Sequence, residues 1–117
     1  MEITGNRLMA SSIEEVIENP GTQTIKFKIM FPVDFDNNVF EERSLEFNEV
    51  IFYSVDEIII PIGRIPQINL ITDLGQVKKL KAEGPRGEEK QVIRKRFEIQ
   101  TTIGKRIIEF SDYKFSN

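Results

Sequence analysis

The chain has 117 residues, 39% of them hydrophobic and 30% charged, with a formal net charge of −3; this is the makeup of one folded domain, not of a disordered segment or a membrane span. It contains no cysteine and no histidine, which excludes disulfides, thiolate or imidazole metal sites, and Ser-His-Asp or Cys-His catalytic machinery. Charge divides unevenly: residues 1–77 carry 5 basic and 13 acidic side chains, net −8, and residues 78–117 carry 11 basic and 6 acidic, net +5.

The opening MEITGNRLMASSIEE lacks a basic region followed by an apolar core and so reads against a signal peptide. No run nears the roughly 20 apolar residues of a membrane helix, and the expectation is a cytoplasmic protein. From Ile13 to Phe31 the preferred reading is a hairpin around Asn19-Pro20-Gly21-Thr22, a type II turn with Gly21 at positive φ. Its competitor is a short helix over residues 12–18, because Ser12 and Glu15 form a capping box and Ile13, Val16 and Ile17 are spaced for one helical face. TIKFKIMF is the clearest strand: Ile25, Phe27, Ile29 and Phe31 share one face, Lys26 and Lys28 the other.

The stretch DFDNN, Asp34 to Asn38, starts like a calcium loop. Val39 and Leu45 stand where that loop needs Gly and Glu, so it reads as a polar turn, with no metal expected. In SLEFNEVIFYSV the apolar phase shifts from Leu45 and Phe47 to Val50 and Phe52, which predicts a bulge or break at Asn48-Glu49. EIIIPIGRIPQINLI carries Pro61, Gly63 and Pro66, and predicts an edge strand, a bend, and a second strand near Ile68–Ile71. Gly84-Pro85-Arg86-Gly87 marks the tip of a long polar hairpin. IRKRFEIQTT and RIIEFSDYKF form another hairpin turning near Gly104, with Ile93, Phe97, Ile99 and Thr101 pointing one way and Arg94 and Arg96 the other. The fold expectation is a single all-β, mainly antiparallel domain over residues 1–117: a small β-sandwich or open barrel of six to eight strands.

Residues 76–97 hold eight of the 16 basic side chains. Lys78, Lys79, Lys81, Arg94 and Arg96 define a nucleic-acid surface as the alternative reading. The stacking aromatics of single-strand binders are missing, the whole chain is acidic, and charge on exposed strands also guards against edge-to-edge aggregation. Adjacent carboxylate pairs such as Glu41-Glu42 point to opposite faces of a strand, so they do not converge on a substrate. No glycine-rich phosphate cradle is present, no cofactor is implied, and the expectation is a protein that is not an enzyme.

The segments SLEFNEVIFYSVDE and FEIQTTIGKRIIEFSDYKF resemble small β-rich bacterial proteins of the immunity-like and uncharacterised classes. Leu45, Phe47 and Val50 match an LxFxxV strand; Phe97, Ile99, Thr101, Gly104 and Ile107 match a late hairpin, with Glu109 where an aliphatic is usual. The resemblance covers about a third of the chain and implies a stoichiometric binder that occludes a toxin. The acidic N-terminal two-thirds suits a basic partner. The expected protein interface is Asp34, Phe35, Asp36, Phe40, Glu41 and Glu42. A homo-oligomer formed along an edge near Pro61–Ile71 is the remaining structural reading.

Overall fold

The computed structural model describes residues 2–117. Eight strands run in the order β1 (Ser12–Asn19), β2 (Thr24–Asp34), β3 (Val39–Asn48), β4 (Phe52–Glu57), β5 (Ile68–Glu83), β6 (Glu88–Thr101), β7 (Gly104–Phe110) and β8 (Asp112–Ser116). They form two four-stranded antiparallel sheets, β1-β2-β3-β8 and β4-β7-β6-β5. This is the expected all-β architecture.

The inner faces follow the period of two. Ile25, Phe27 and Ile29 of β2 and Leu45 and Phe47 of β3 meet Phe97 and Ile99 of β6 and Ile108 and Phe110 of β7, all buried. Edge-to-face ring contacts cross between the sheets: Phe47 on Phe110 at 4.8 Å and Phe27 on Tyr53 at 5.9 Å between centroids. Each fully buried ring contributes on the order of 2–3 kcal/mol from area alone. Ile3 and Leu8 are fully buried in the same core. Their segment is clipped to the start of β5 by Ala10 N–H to the Ile68 carbonyl and Ile68 N–H to the Ser11 carbonyl, both 2.8 Å.

Residues 12–18 are strand, which corrects the helical alternative. Ile13 pairs with Ile29 and Glu15 with Lys28, so Glu14 is an extra residue in a β-bulge. That insertion places Ile13 and Val16 on the same face three residues apart, the spacing that mimics a helix. The following turn also differs from the expected type. Gln23, not Gly21, takes positive φ, at 55°, and the Gln23 amide closes on the Pro20 carbonyl.

The predicted break at Asn48-Glu49 is where the chain leaves one sheet for the other, with Glu49 at φ 50°. No edge strand forms over residues 58–61; they belong to a loop from β4 to β5. β4 and β5 are opposite edges of their sheet, so this loop must cross the end of the sandwich, and its prolines and glycine suit a crossing rather than a ladder.

Candidate functional site

Strands β5 and β6 outrun their neighbours. β7 pairs with β6 only as far as Lys95, opposite Phe110, while β5 and β6 continue as a two-stranded ribbon to Glu83 and Glu88. The ribbon root lies at the end of the sandwich bearing the β1–β2 turn. There Gln23, Val50, Ile51 and Phe52 share one groove with Lys79, Lys81 and Val92. The β2–β3 turn lies at the other end of β2, eleven residues along.

The five residues of the predicted nucleic-acid surface do not share one fate. Arg94 is on the polar phase of β6 as expected, but it is only 8% exposed. Its Nε donates to the Glu49 carbonyl at 3.1 Å, and one terminal nitrogen donates to the Ile93 carbonyl at 3.0 Å. Arg96 and Lys79 approach the carboxylate of Glu109 at 3.7 and 3.6 Å, and Glu109 is 2% exposed. These three cations thus neutralise or cap groups of the protein itself. Only Lys78 and Lys81 are exposed with no ion pair among the described residues. Ile93, expected inward beside Phe97, is exposed because the ribbon has no opposing sheet at that level.

The predicted protein interface divides between turn and strand. Asp34 accepts hydrogen bonds from the Asn37 amide at 3.2 Å and its side-chain nitrogen at 2.7 Å, and these donors hold its carboxyl below the ordinary value. This is a turn-forming role. Phe35 is 65% exposed at the tip, while Phe40 is half-buried opposite Pro32. Glu41 pairs with Arg43 at 3.0 Å, and Arg43 in turn sits over the Phe31 ring. Asp36 and Glu42 face solvent. Residues 34–42 contain no basic side chain, so the tip is an acidic knob with Val33, Phe35 and Val39 exposed on it.

A further surface overlaps the stretch Pro61–Ile71, expected from the sequence as an edge for self-association. In the crossing loop Ile59 and Ile62 are completely exposed, Ile58 largely so and Ile65 in part. The loop is anchored by Ile58 N–H to the Ile103 carbonyl and by Ile13 N–H to the Pro66 carbonyl. Ser12 bridges Gln67 on this loop and Met30 on β2, so the isoleucines occupy the same end of the sandwich as the acidic knob. The signal was present: five isoleucines around two prolines and a glycine have no ladder to serve. A run that apolar, barred from pairing, ends up either buried or displayed.

Just inside this end, the Glu57 carboxylate takes two hydrogen bonds from Arg106, both 2.8 Å, and one from the Thr101 hydroxyl at 2.8 Å, while Arg106 also donates to the Tyr53 hydroxyl at 3.0 Å. The Arg106 and Glu57 side chains are 9% and 8% exposed. Burial disfavours the charge on Glu57, but the hydrogen bonds from Arg106 and Thr101 outweigh it and hold the carboxyl below its ordinary value. Burial likewise opposes the charge on Arg106, and the Glu57 hydrogen bond overcomes it. Burial pushes the Tyr53 hydroxyl up. Glu57 borders an open groove of about 620 Å³ shared with Asn69, Gln100 and Lys105. A general acid there would need a raised pKa, and the shift runs the other way. The network fastens the end of the sandwich.

No protein-family model matches the chain, and comparisons with curated proteins and with solved structures find no match.

Proposed function

We propose that this chain is a non-catalytic protein-binding module whose acidic end receives a basic partner, in the manner of an intracellular inhibitor that occludes a toxin. The carrying observation is the coincidence, at one end, of fully exposed Ile59 and Ile62 with the acidic knob of Asp34, Phe35, Asp36 and Glu42. Apolar anchors at the same end as a patch of one sign of charge suit a protein interface, with charge accelerating encounter and the anchors supplying affinity. Exposed aliphatic clusters on a domain this small are otherwise a liability in solution.

The test is capture from source-cell lysate at low and moderate salt with the unmodified chain and with an Ile59→Asp, Ile62→Asp variant. The reading expects a stoichiometric basic protein that survives moderate salt with the former and is lost with the latter. Capture that is indifferent to both substitutions would remove the isoleucines from the interface. A second reading, nucleic-acid binding through the ribbon, draws on the solvent-facing Lys78, Lys81, Lys90 and Lys95. It predicts affinity that falls steeply with salt and collapses on reversal of Lys78 and Lys81.

A further inference from the structure

The basic ribbon and the acidic knob lie at opposite ends of a molecule 57 Å long and 31 by 24 Å across. Residues 76–97 carry eight basic and three acidic side chains; residues 34–42 carry four acidic and no basic ones. The two segments therefore carry opposite net charge, +5 and −4.

Neither end is fully satisfied internally. Lys78, Lys81, Lys90 and Lys95 are exposed and make no ion pair among the described residues, and neither do Asp36 and Glu42. On the ribbon Lys81 stands directly across from Lys90, a like-charge rung that costs stability unless an anion lies against it. The same strands expose Leu80 and Ile93 on the face opposite that rung, beside Lys78 and Lys95, while the knob exposes Val33, Phe35 and Val39 among its carboxylates. Each end therefore pairs one sign of charge with bare apolar groups.

Charge alone would be screened beyond about 10 Å at 0.1 M salt; the apolar residues supply a contact that salt does not remove. Two such molecules aligned antiparallel satisfy both ends at once, and a two-fold arrangement closes without leaving a free end to propagate.

We propose that the occupant of the basic ribbon is the acidic knob of a second copy of this chain, giving a closed antiparallel dimer. The inference goes beyond the partner-binding reading and does not depend on any partner, so the two fail independently. If both hold, a basic partner and a second copy compete for the same knob, and self-association stores the interface in a covered form.

The experiment is sedimentation of the purified chain alone, from about 1 to 200 µM, at low and high salt. The expected result is a dimer of twice the 13.6 kDa chain mass at low salt, with its dissociation constant raised roughly tenfold or more at 0.5 M salt. Reversing the ribbon (Lys78→Glu, Lys81→Glu, Lys90→Glu) should leave a monomer, and so should reversing the knob (Asp34→Lys, Asp36→Lys, Glu42→Lys). Mixing the two reversed variants should restore a heterodimer, because each then offers the end its counterpart lacks. Circular dichroism of each variant verifies the fold; should Asp34→Lys disturb its turn, the reversal is made at Asp36 and Glu42 alone. A chain monomeric throughout at low salt overturns the proposal, as does a dimer that survives either reversal, a mixture that stays monomeric, or growth beyond two copies.

Discussion

Replacing Glu57 by Gln isolates the energetics of the fastening network. The substitution keeps side-chain volume while removing the charge that Arg106 faces through two 2.8 Å hydrogen bonds. Both side chains are less than a tenth exposed, so solvent screening offers little relief. Breaking a buried pair by removing one partner costs about 3–5 kcal/mol, because the surviving charge is stranded. Against a total stability of about 5–15 kcal/mol for a domain, that is a large fraction. At roughly 4 °C per kcal/mol for this chain length, Tm should fall by about 12–20 °C. Urea denaturation at pH 7 followed by far-ultraviolet circular dichroism gives the free energy directly, with an unchanged m-value as the check on two-state behaviour. The double substitution Glu57→Leu, Arg106→Met should recover most of the loss, since apolar replacement of a buried pair is often neutral or better. A loss below about 1 kcal/mol for Glu57→Gln would place the pair among exposed ion pairs and refute the claim that it fastens this end.

Acid titration reads the same network. The folded carboxyl of Glu57 lies below its ordinary value of 4.5, so its stabilising contribution is complete above about pH 4.5 and is lost as pH falls through the folded value; in Glu57→Gln this part of the acid-side decline in denaturation midpoint should vanish. At the alkaline limit the sign reverses: the raised hydroxyl of Tyr53 contributes stability that is complete below its ordinary value of 10.0 and is lost as pH rises through the folded value, a dependence that Tyr53→Phe should abolish. Phe110→Ala should cost about 3–5 kcal/mol in chemical denaturation, since its ring is fully buried and touches Phe47, Phe97 and Tyr113. Gly104→Ala should destabilise by about 1–3 kcal/mol, because a Cβ there would collide with the Asp56 backbone carbonyl, which cannot give way as a side chain can. Ile59→Ser should shift stability by less than about 0.5 kcal/mol, its side chain having no contact to lose.

How much could be read from the sequence depended on whether one local rule governed the segment. β2 and β3 alternate cleanly and sit centrally, so Ile25 to Phe31 and Leu45 to Phe47 were legible residue by residue. The β5–β6 hairpin and its tip at residues 84–87 were equally plain from turn chemistry. The ambiguity at Ser12–Glu18 came from a bulge, since one inserted residue converts a period of two into an apparent helical spacing. The fate of Arg94 and Arg96 was not legible at all. Their alternation correctly placed them on the polar face, but the identity of that face's neighbours is set by pairings far along the chain: Glu109 lies directly opposite Arg96, and Glu49 arrives from the crossover 45 residues away. The isoleucine loop was misread for a different reason. Its composition is that of a strand, and only the position of β4 and β5 at opposite edges makes it a crossing.

That sheet order also bears on how the chain is made. β1, β2 and β3 form a contiguous meander within residues 12–48, yet Phe97 of β6 and Phe110 of β7, which face it from the other sheet, arrive about 50 and 60 residues later. At translation rates of roughly 5–20 residues per second, Leu45 and Phe47 wait several seconds on the ribosome for that cover. During that interval the nascent meander is a half-wrapped sheet with one greasy face. Lys26 and Lys28, which line its other face, then work as wardens, keeping that face hydrated and unattractive to a neighbouring nascent chain until the second sheet closes over the first.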